Sequence, residues 1–518
     1  MKKRWAEFLQ LFVVCSLIMT LSSLPNWTGK SIENETLSFR GQYFDTQDYA
    51  VDIAMMRAGM QGDWAYQMRF TTEAHPAAYI RLFYLALGHV SQALALDPEV
   101  AYDLFRWIFG YLALFAIFYL CRIYFEKKSM VWMAFLLAVF GSGLGWLQLL
   151  AGWQIGTITP VDFWLIDAYV LFSISLFPHF SCTLALMAAG LIFYLKFLKE
   201  HRWRYVILTT LAAILCQCVN PIAFVVVDAA MLTVTLFAWF QNRETRKKLG
   251  LALGVVGLAQ LPLLIYNVGV LSRDPVWSRY TAQNITLSPS PMHYLLGFGL
   301  LWLLLIPGIV VSIREKKADL LGLIGWLVSA FALAYSPTLI QRRFLLGVTL
   351  PMAILGVQGL EVVLQRMKEK KPLAALAVLV LCSVSSIYLI YGNLQLLKGQ
   401  PAEAFYPAGM NQAFNWLTDN AEPDDFVLGA ETTGQLIAQK TGMRVYLGHE
   451  METVDYEAKK LQVAAWYQSN LPPEALSGLP VKWVIYGPYE ERLAGKFTPG
   501  DNLQLVFEAG GIRIYSVQ

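Results

Sequence analysis

The sequence FDTQDYAVDIAMM, residues 44–56, follows closely on the first long apolar segment of the chain. It places Asp45, Asp48 and Asp52 at positions i, i+3 and i+7, so their carboxylates share one face of a helix. Apolar residues between the acids form a neighbouring stripe, and a glycine-containing turn ends the pattern. The segment therefore predicts an amphipathic interfacial helix that carries acids along the edge of its apolar side.

The composition around this segment is that of a multi-pass membrane protein. Of the 518 residues, 56% are hydrophobic and 15% are charged, whereas ordinary soluble domains carry about 25% charged residues. The apolar residues come in long runs, as membrane spans do. The formal net charge is only +3, and no basic run is interleaved with aromatic residues, so no nucleic-acid partner is expected. All six cysteines fall in apolar segments, which argues against a disulfide framework and a thiolate metal site.

Clusters of Lys and Arg predict the topology, because such clusters in short loops mark the cytoplasmic side. The clusters lie at residues 2–4, 127–128, 196–204, 243–248, 314–317 and 366–371. With a cytoplasmic N-terminus and about 20 apolar residues per span, we expect about eleven spans and an external C-terminus. The first span ends near residue 24, and the others cover 102–124, 129–150, 178–197, 204–220, 223–240, 249–270, 292–313, 319–336, 345–364 and 372–392. Residues 77–96 carry polar side chains on one helical face and are expected to lie on the outer membrane surface.

The polarity of the chain changes after the last predicted span. We expect a transmembrane domain over 1–397, with an external loop at 25–101, and a small external soluble α/β domain over 398–518. In that tail, MRVYLGH, VKWVIYG, LQLVFE and IRIYSV are typical of strands, and residues 409–420 and 454–469 have helical patterns. The sequence shows no internal repeat and no inverted pair of broken helices of the transporter kind.

These features resemble the GT-C superfamily of membrane glycosyltransferases, which includes protein O-mannosyltransferases and lipid A aminoarabinose transferases. Its members have one inward-starting helix and then a long external loop with an acidic motif that opens a surface helix. The counterpart of the acidic motif here is FDTQD at 44–48. QGDW at 61–64 corresponds to the turn that ends the first surface helix, and EAHPAAYIRLFYLALG at 73–88 corresponds to a second surface helix. Many members carry adjacent acids or Asp-x-Asp, whereas Asp45 and Asp48 are three positions apart. The tail is similar to the external α/β domain of many bacterial members.

The resemblance implies an inverting glycosyltransferase of the cell membrane. It would move a sugar from a polyprenyl-phosphate-linked donor to a lipid, glycan or protein acceptor on the outer face. An attacking hydroxyl must lose its proton as the new bond forms, and a nearby carboxylate accepts it. Asp45 and Asp48 are the candidate bases. The alternative is that Asp45 caps the helix while the other acids are solvated.

A departing lipid phosphate calls for cations at the outer interface. Arg342 and Arg343, in SPTLIQRRF at 336–344, stand in a predicted external loop, against the positive-inside pattern. An arginine pair suits bidentate contact with phosphate. The alternative is that both side chains snorkel to lipid headgroups. If Arg342 and Arg343 bind the phosphate, we expect their guanidinium groups and the aspartates to meet in one pocket at membrane level.

Further substrate-site candidates are Asp52, Glu73, His75 and His179. Glu73 and His75 precede the second surface helix, where a helix-start role is the alternative, and His179 begins a predicted inward span from the outer face. No cofactor is certain. Because some GT-C members need a divalent cation, the clustered aspartates are also candidate oxygen ligands for one. The competing function classes are a lipid or solute transporter and a non-catalytic scaffold for envelope assembly.

Overall fold

The computed structural model describes residues 2–152, 159–241, 243–365, 370–422, 424–494 and 497–518. Residues 366–369 of the last basic cluster lie outside this part, as do residues 153–158 of an external segment predicted at 151–177. The α-helices are α1 Lys2–Ile32, α2 Thr46–Met60, α3 Leu82–Ala93, α4 Pro98–Tyr124, α5 Lys128–Phe140, α6 Gly145–Ala151, α7 Val170–Leu176, α8 Pro178–Glu200, α9 Trp203–Val219, α10 Val225–Gln241, α11 Arg246–Arg273, α12 Pro275–Gln283, α13 Pro291–Phe298, α14 Leu300–Arg314, α15 Ala318–Leu333, α16 Thr349–Leu364, α17 Lys371–Lys398, α18 Met410–Asn420, α19 Glu431–Thr441, α20 Tyr456–Gln468, α21 Pro473–Leu476 and α22 Pro488–Ala494. Short 3-10 helices cover Val161–Phe163, Ile166–Ala168 and Gln341–Leu345. The strands are β1 Leu37–Phe39, β2 Phe405–Pro407, β3 Phe426–Leu428, β4 Arg444–Val445, β5 Val481–Tyr486, β6 Leu503–Ala509 and β7 Ile512–Val517.

Every predicted span coincides with an apolar helix or with a bent pair of helices. Within the described ranges, five helices are long and apolar enough to cross a membrane, namely α1, α4, α8, α11 and α17. The pairs α5 with α6 and α13 with α14 reach that length together and bend by 51° and 88°. Helices α9, α10, α15 and α16 are apolar but shorter. The chain is therefore a multi-pass membrane protein, and the span count of about eleven stays a prediction.

The bend between α5 and α6 interrupts the span predicted at 129–150, and Asp162 explains it. Its Oδ2 accepts hydrogen bonds from the backbone N–H groups of Gly143 and Gly145, each at 3.1 Å. These groups at the start of α6 would otherwise be unpaired in the interior. Burial raises the pKa of Asp162 to about 6, although the hydrogen bonds that its carboxylate accepts lower the pKa in part. The bend in the predicted span thus lies where a carboxylate from later in the sequence accepts hydrogen bonds from the backbone.

The chain forms two compact units. The first comprises Met1–Leu24, Phe105–Tyr266 and Ile285–Asn393 and contains most of the apolar helices. The second comprises Pro25–Leu104, Asn267–Asn284 and Leu394–Gln518. The second unit therefore holds the predicted loop 25–101 together with the C-terminal α/β segment. The predicted domains 1–397 and 398–518 and their sidedness stay predictions.

A five-stranded sheet with the order β4-β3-β5-β7-β6 lies in the C-terminal segment. Strand β3 runs parallel to β4 and β5, and β7 runs antiparallel to β5 and β6. The four sequences expected to form strands contain β4, β5, β7 and all of β6 except its last residue, and the expected helices contain α18 and α20. The small α/β domain is therefore confirmed. Strands β1 and β2 pair separately, with Leu37 opposite Pro407.

Helix α2 differs from its prediction, because nearly all of its sides are buried within the second unit. Tyr49, Val51, Ile53 and Met55 are each at most 2% exposed, although they point in different directions around the helix. Helices α3 and α19 both pack against α2. The expected amphipathic pattern is therefore not seen in α2, and its position at the membrane interface stays a prediction. The second surface helix is shorter than predicted, since α3 begins only at Leu82.

Candidate active site

Asp48 lies in the first turn of α2, where a buried histidine holds it. Its Oδ1 accepts a hydrogen bond from Nε2 of His449 at 2.9 Å. The Nδ1 atom of His449 accepts from the backbone N–H groups of Met451 and Glu452, at 3.1 and 3.2 Å. This leaves the ring proton on Nε2, where it is donated to Asp48. The Asp48 side chain is 44% exposed and that of His449 only 3%, so a rigid imidazole orients an accessible carboxylate.

A buried acid, Glu452, fixes the loop that carries His449. Its carboxylate accepts from Nη1 of Arg81 at 2.9 Å and from the hydroxyl of Tyr66 at 2.6 Å. The Nη2 atom of Arg81 donates to the hydroxyl of Tyr280 at 2.9 Å. Burial lowers the pKa of Arg81, but Tyr280 and Glu452 raise it above its usual range, so the guanidinium stays charged. Because the Glu452 side chain is only 1% exposed, loss of Arg81 would leave a buried carboxylate without its cation.

Asp52 follows Asp48 by one turn of α2, and it is buried. The hydroxyl of Tyr102 donates to its Oδ2 at 3.4 Å. Burial and then the charge of Asp48 raise the pKa of Asp52 well above its usual range. The predicted substrate contact of Asp52 stays a prediction.

Asp45 stands at the N-terminus of α2 and is exposed. It adopts a left-handed backbone conformation, with φ 52° and ψ 50°, and its side chain makes no capping bond to the helix. The capping role considered as an alternative for Asp45 is therefore wrong. Asp tolerates this backbone region better than most residues.

Glu73 and His75 both take part in holding the loop before α3. Lys459 donates to Glu73 at 2.8 Å, and the hydroxyl of Thr71 also donates to Glu73. The Nδ1 atom of His75 donates to the carbonyl of Glu73 at 2.7 Å, and its Nε2 accepts from the backbone N–H of Met68 at 3.0 Å. Burial lowers the pKa of His75. Both ring nitrogens of His75 thus serve the loop, and contact of either residue with substrate stays a prediction.

The other candidates belong to the first unit. Arg342 and Arg343 are half-buried in the 3-10 helix between α15 and α16. The guanidinium of Arg342 lies 5.1 Å from the ring centre of Trp164, in a cation–π contact. The backbone N–H of Arg342 donates to the carbonyl of Thr286 at 3.1 Å. His179 stands in the first turn of α8. The predicted roles of these three residues are not tested by this geometry.

Metal ligation was the alternative for the clustered aspartates. In the ranges that the structure describes, no group of three or more His, Cys, Asp or Glu side chains is placed to hold a metal ion. A divalent cation at the three aspartates of the acidic motif stays a prediction.

Glu452, Arg81 and His449 were not predicted from the sequence as partners of the acidic motif. One signal was present. GHEMET, at 448–453, follows β4, and the segment after the carboxyl end of a parallel strand is a frequent place for functional residues.

No family model and no curated protein sequence matches the chain. Solved structures do. The archaeal oligosaccharyltransferase AglB of Archaeoglobus fulgidus, in complex with an inhibitory peptide and a dolichol-phosphate, is similar with a TM-score of 0.56 at 13% identity, over 93% of this chain and 70% of that one. ArnT of Cupriavidus metallidurans, bound to undecaprenyl phosphate, is similar with a TM-score of 0.51 at 13% identity, over 98% of both chains.

The chain has the GT-C fold. The predicted fold class is thereby confirmed, with its several apolar helices and its small C-terminal sheet. At 13% identity the likeness concerns the GT-C fold alone. The chemistry must be argued from the residues of this chain.

Proposed function

We propose that this protein is an inverting membrane glycosyltransferase with a polyprenyl-phosphate-linked sugar as donor. Its acceptor is a hydroxyl of a lipid, glycan or protein at the outer face of the membrane. The observation that carries the proposal is the accessible Asp48 carboxylate held by buried His449 in a chain of GT-C fold. The dolichol-phosphate and undecaprenyl phosphate in the similar structures support a lipid-linked donor.

In this reaction Asp48 is the general base. The acceptor oxygen attacks the anomeric carbon, its proton passes to Asp48, and the bond from that carbon to the donor phosphate breaks. The sugar inverts, and polyprenyl phosphate leaves. His449 is a positioning residue, since its Nε2–H fixes one carboxylate oxygen and so directs the other. Asp45 is the alternative base, at the start of the same helix.

Arg342 and Arg343 bind the donor phosphate in this proposal. Guanidinium groups form bidentate hydrogen bonds with phosphate oxygens and stabilise the charge that grows as the phosphate departs. The stacking of Arg342 on Trp164 restricts the guanidinium before the donor arrives. Less side-chain entropy is then lost on binding.

The test is sugar transfer by the purified protein in lipid nanodiscs. A panel of labelled polyprenyl-phosphate sugars is supplied together with an extract of cell-envelope acceptors. We expect Asp48→Asn to lower turnover by about 100-fold or more while donor affinity is kept, because proton removal contributes this much in general-base catalysis. Arg342→Gln should instead raise the KM for donor.

Asp45→Asn is the matched control, since it changes the charge three residues earlier on the same helix. If Asp45→Asn abolishes turnover and Asp48→Asn does not, the base is Asp45. Full activity of both variants, at wild-type melting temperature, would exclude a carboxylate base in this motif.

Vesicle uptake of unchanged substrate would identify a transporter, and unaltered envelope glycans in a deletion strain would favour the scaffold.

A further inference from the structure

A groove lies between α4 and α8 in the first unit, and none of the candidate site residues lines it. Its volume is about 470 Å³. Ala116 and Tyr119 line it from α4, and Ala189 and Phe193 line it from α8. On each helix the lining positions recur at three- and four-residue intervals, so one continuous face of each helix forms a wall. These four residues give the groove walls that are mainly apolar.

Two cations complete the lining, Arg122 on α4 and Lys196 on α8. Each stands about two helical turns, roughly 10 Å, after the first lining residue of its helix. Both helices are predicted to cross the membrane inward, which places the two cations at one mouth, at the cytoplasmic end. Basic residues at 127–128 and 199–204 follow at the same end.

These two cations are only weakly neutralised. Lys196 is half-buried and has no hydrogen-bond or ion-pair partner among the residues that the structure describes. The contact of Arg122 with Glu7 is long, at 3.6 Å, and the Arg122 side chain is 53% exposed. Glu7 also lies 3.4 Å from Lys128, so its single charge is shared. The mouth of the groove therefore carries excess positive charge beside an apolar slot.

We propose that this groove binds an anionic glycerophospholipid of the cytoplasmic leaflet. One acyl chain lies along the apolar walls, and the phosphate lies between Arg122 and Lys196. The slot length suits the upper part of an acyl chain, and Lys or Arg side chains near an anionic headgroup favour its binding. The phospholipid is distinct from the polyprenyl donor proposed above, which is used at the opposite face, and its site does not depend on the transfer reaction.

Native mass spectrometry of the full-length protein tests this site, with phosphatidylglycerol and phosphatidylcholine titrated in parallel. We expect the wild type to retain phosphatidylglycerol preferentially. Arg122→Gln with Lys196→Gln should weaken that binding by about tenfold and leave phosphatidylcholine unaffected, because the removed charges contact only the anionic headgroup. The matched control is Lys247→Gln with Arg314→Gln, two exposed cations at helix ends that do not line the groove.

Two single variants keep the test decisive if the double variant does not fold. Lys196→Gln, which leaves the contact between Arg122 and Glu7 intact, should give an intermediate loss. Ala189→Trp fills the slot and should lower phosphatidylglycerol retention with both cations in place. The proposal is overturned if the groove variants bind phosphatidylglycerol like wild type or if the control pair loses as much. Equal wild-type binding of both phospholipids, or displacement of phosphatidylglycerol by polyprenyl phosphate, would also overturn it.

Discussion

The hydrogen bond from His449 to Asp48 joins residues 401 positions apart. A half-exposed aspartate on a helix samples several rotamers, and each change moves its oxygens relative to a bound acceptor. Anchoring one oxygen to a buried ring removes most of that freedom before substrate arrives. The hydrogen bond therefore offers what a general base needs, which is a fixed direction for proton transfer.

Glu73 should contribute to stability in a pH-dependent way. Burial raises its pKa, but the hydrogen bonds from Lys459 and Thr71 outweigh burial and lower it below the ordinary value of 4.5. A carboxyl with a depressed folded-state pKa stabilises the fold above its unfolded-state pKa, and this contribution is lost as pH falls through the folded value. We expect Glu73→Gln to lower the melting temperature at pH 7, with the difference from wild type shrinking below about pH 4.5.

Melting curves of both proteins in detergent between pH 3.5 and pH 7.5 measure this difference. Glu35→Gln is the control, because Glu35 is an exposed carboxylate of the same unit. A gap between Glu73→Gln and wild type that stays constant across the range would show that the ion pair with Lys459 contributes nothing.

Helices α2 and α3 approach each other through two glycines. A Cβ atom at Gly59 would overlap the carbonyl oxygen of Leu85, and one at Gly88 would overlap that of Met56. Gly88→Ala should therefore push the helices apart and destabilise the protein by about 1–3 kcal/mol. Since Asp48 lies on α2, sugar transfer should fall as well.

The measurement is the melting temperature together with turnover. Gly254→Ala is the matched change in α11, where a Cβ atom would meet no other atom within 4 Å. It should be neutral or slightly stabilising, because Ala in a helix is favoured over Gly by about 0.5–1 kcal/mol. Equal behaviour of the two variants would mean that the α2–α3 contact is looser than the structure indicates.

Hydropathy predicted where apolar helices lie, but it could not predict their bends. The span expected at 292–313 turns by 88° between α13 and α14, where Gly299 adopts a positive φ of 44°. The span expected at 129–150 breaks where Asp162 supplies hydrogen-bond acceptors from a later segment. An average over an apolar window contains neither a single backbone angle nor a distant acceptor.

The sequence pattern of α2 likewise contains no information about distant contacts, and for that reason α2 was expected to be amphipathic. Its sequence has an apolar stripe with acids beside it, which predicts one covered side. The partner of its second side, α19, lies nearly 400 residues further along the chain. The three acids could be identified as candidates, whereas the hydrogen bond that anchors Asp48 comes from His449 of the α/β segment, whose packing the sequence does not reveal.

The second unit combines three separate parts of the chain, Pro25–Leu104, Asn267–Asn284 and Leu394–Gln518. Hydrogen bonds link the three segments near the candidate site, because Arg81 of the first segment donates to Tyr280 of the second and to Glu452 of the third. Loss of the C-terminal segment would therefore remove His449 and Glu452 from the candidate site. The segment is better understood as part of that site than as an independent appendage.

The sidedness of this unit is predicted from the distribution of charge along the chain. The basic clusters can share the cytoplasmic side only if the number of spans is odd, which places the C-terminal segment outside. Ser477 is exposed in that segment, and Lys247 is exposed in a predicted cytoplasmic loop, so each can be replaced by a cysteine that reagents can reach. Five of the six native cysteines are buried. In intact cells a membrane-impermeant maleimide should label Ser477→Cys at once and Lys247→Cys only after lysis. Labelling of both from one side would contradict the odd span count and, with it, sugar transfer at the outer face.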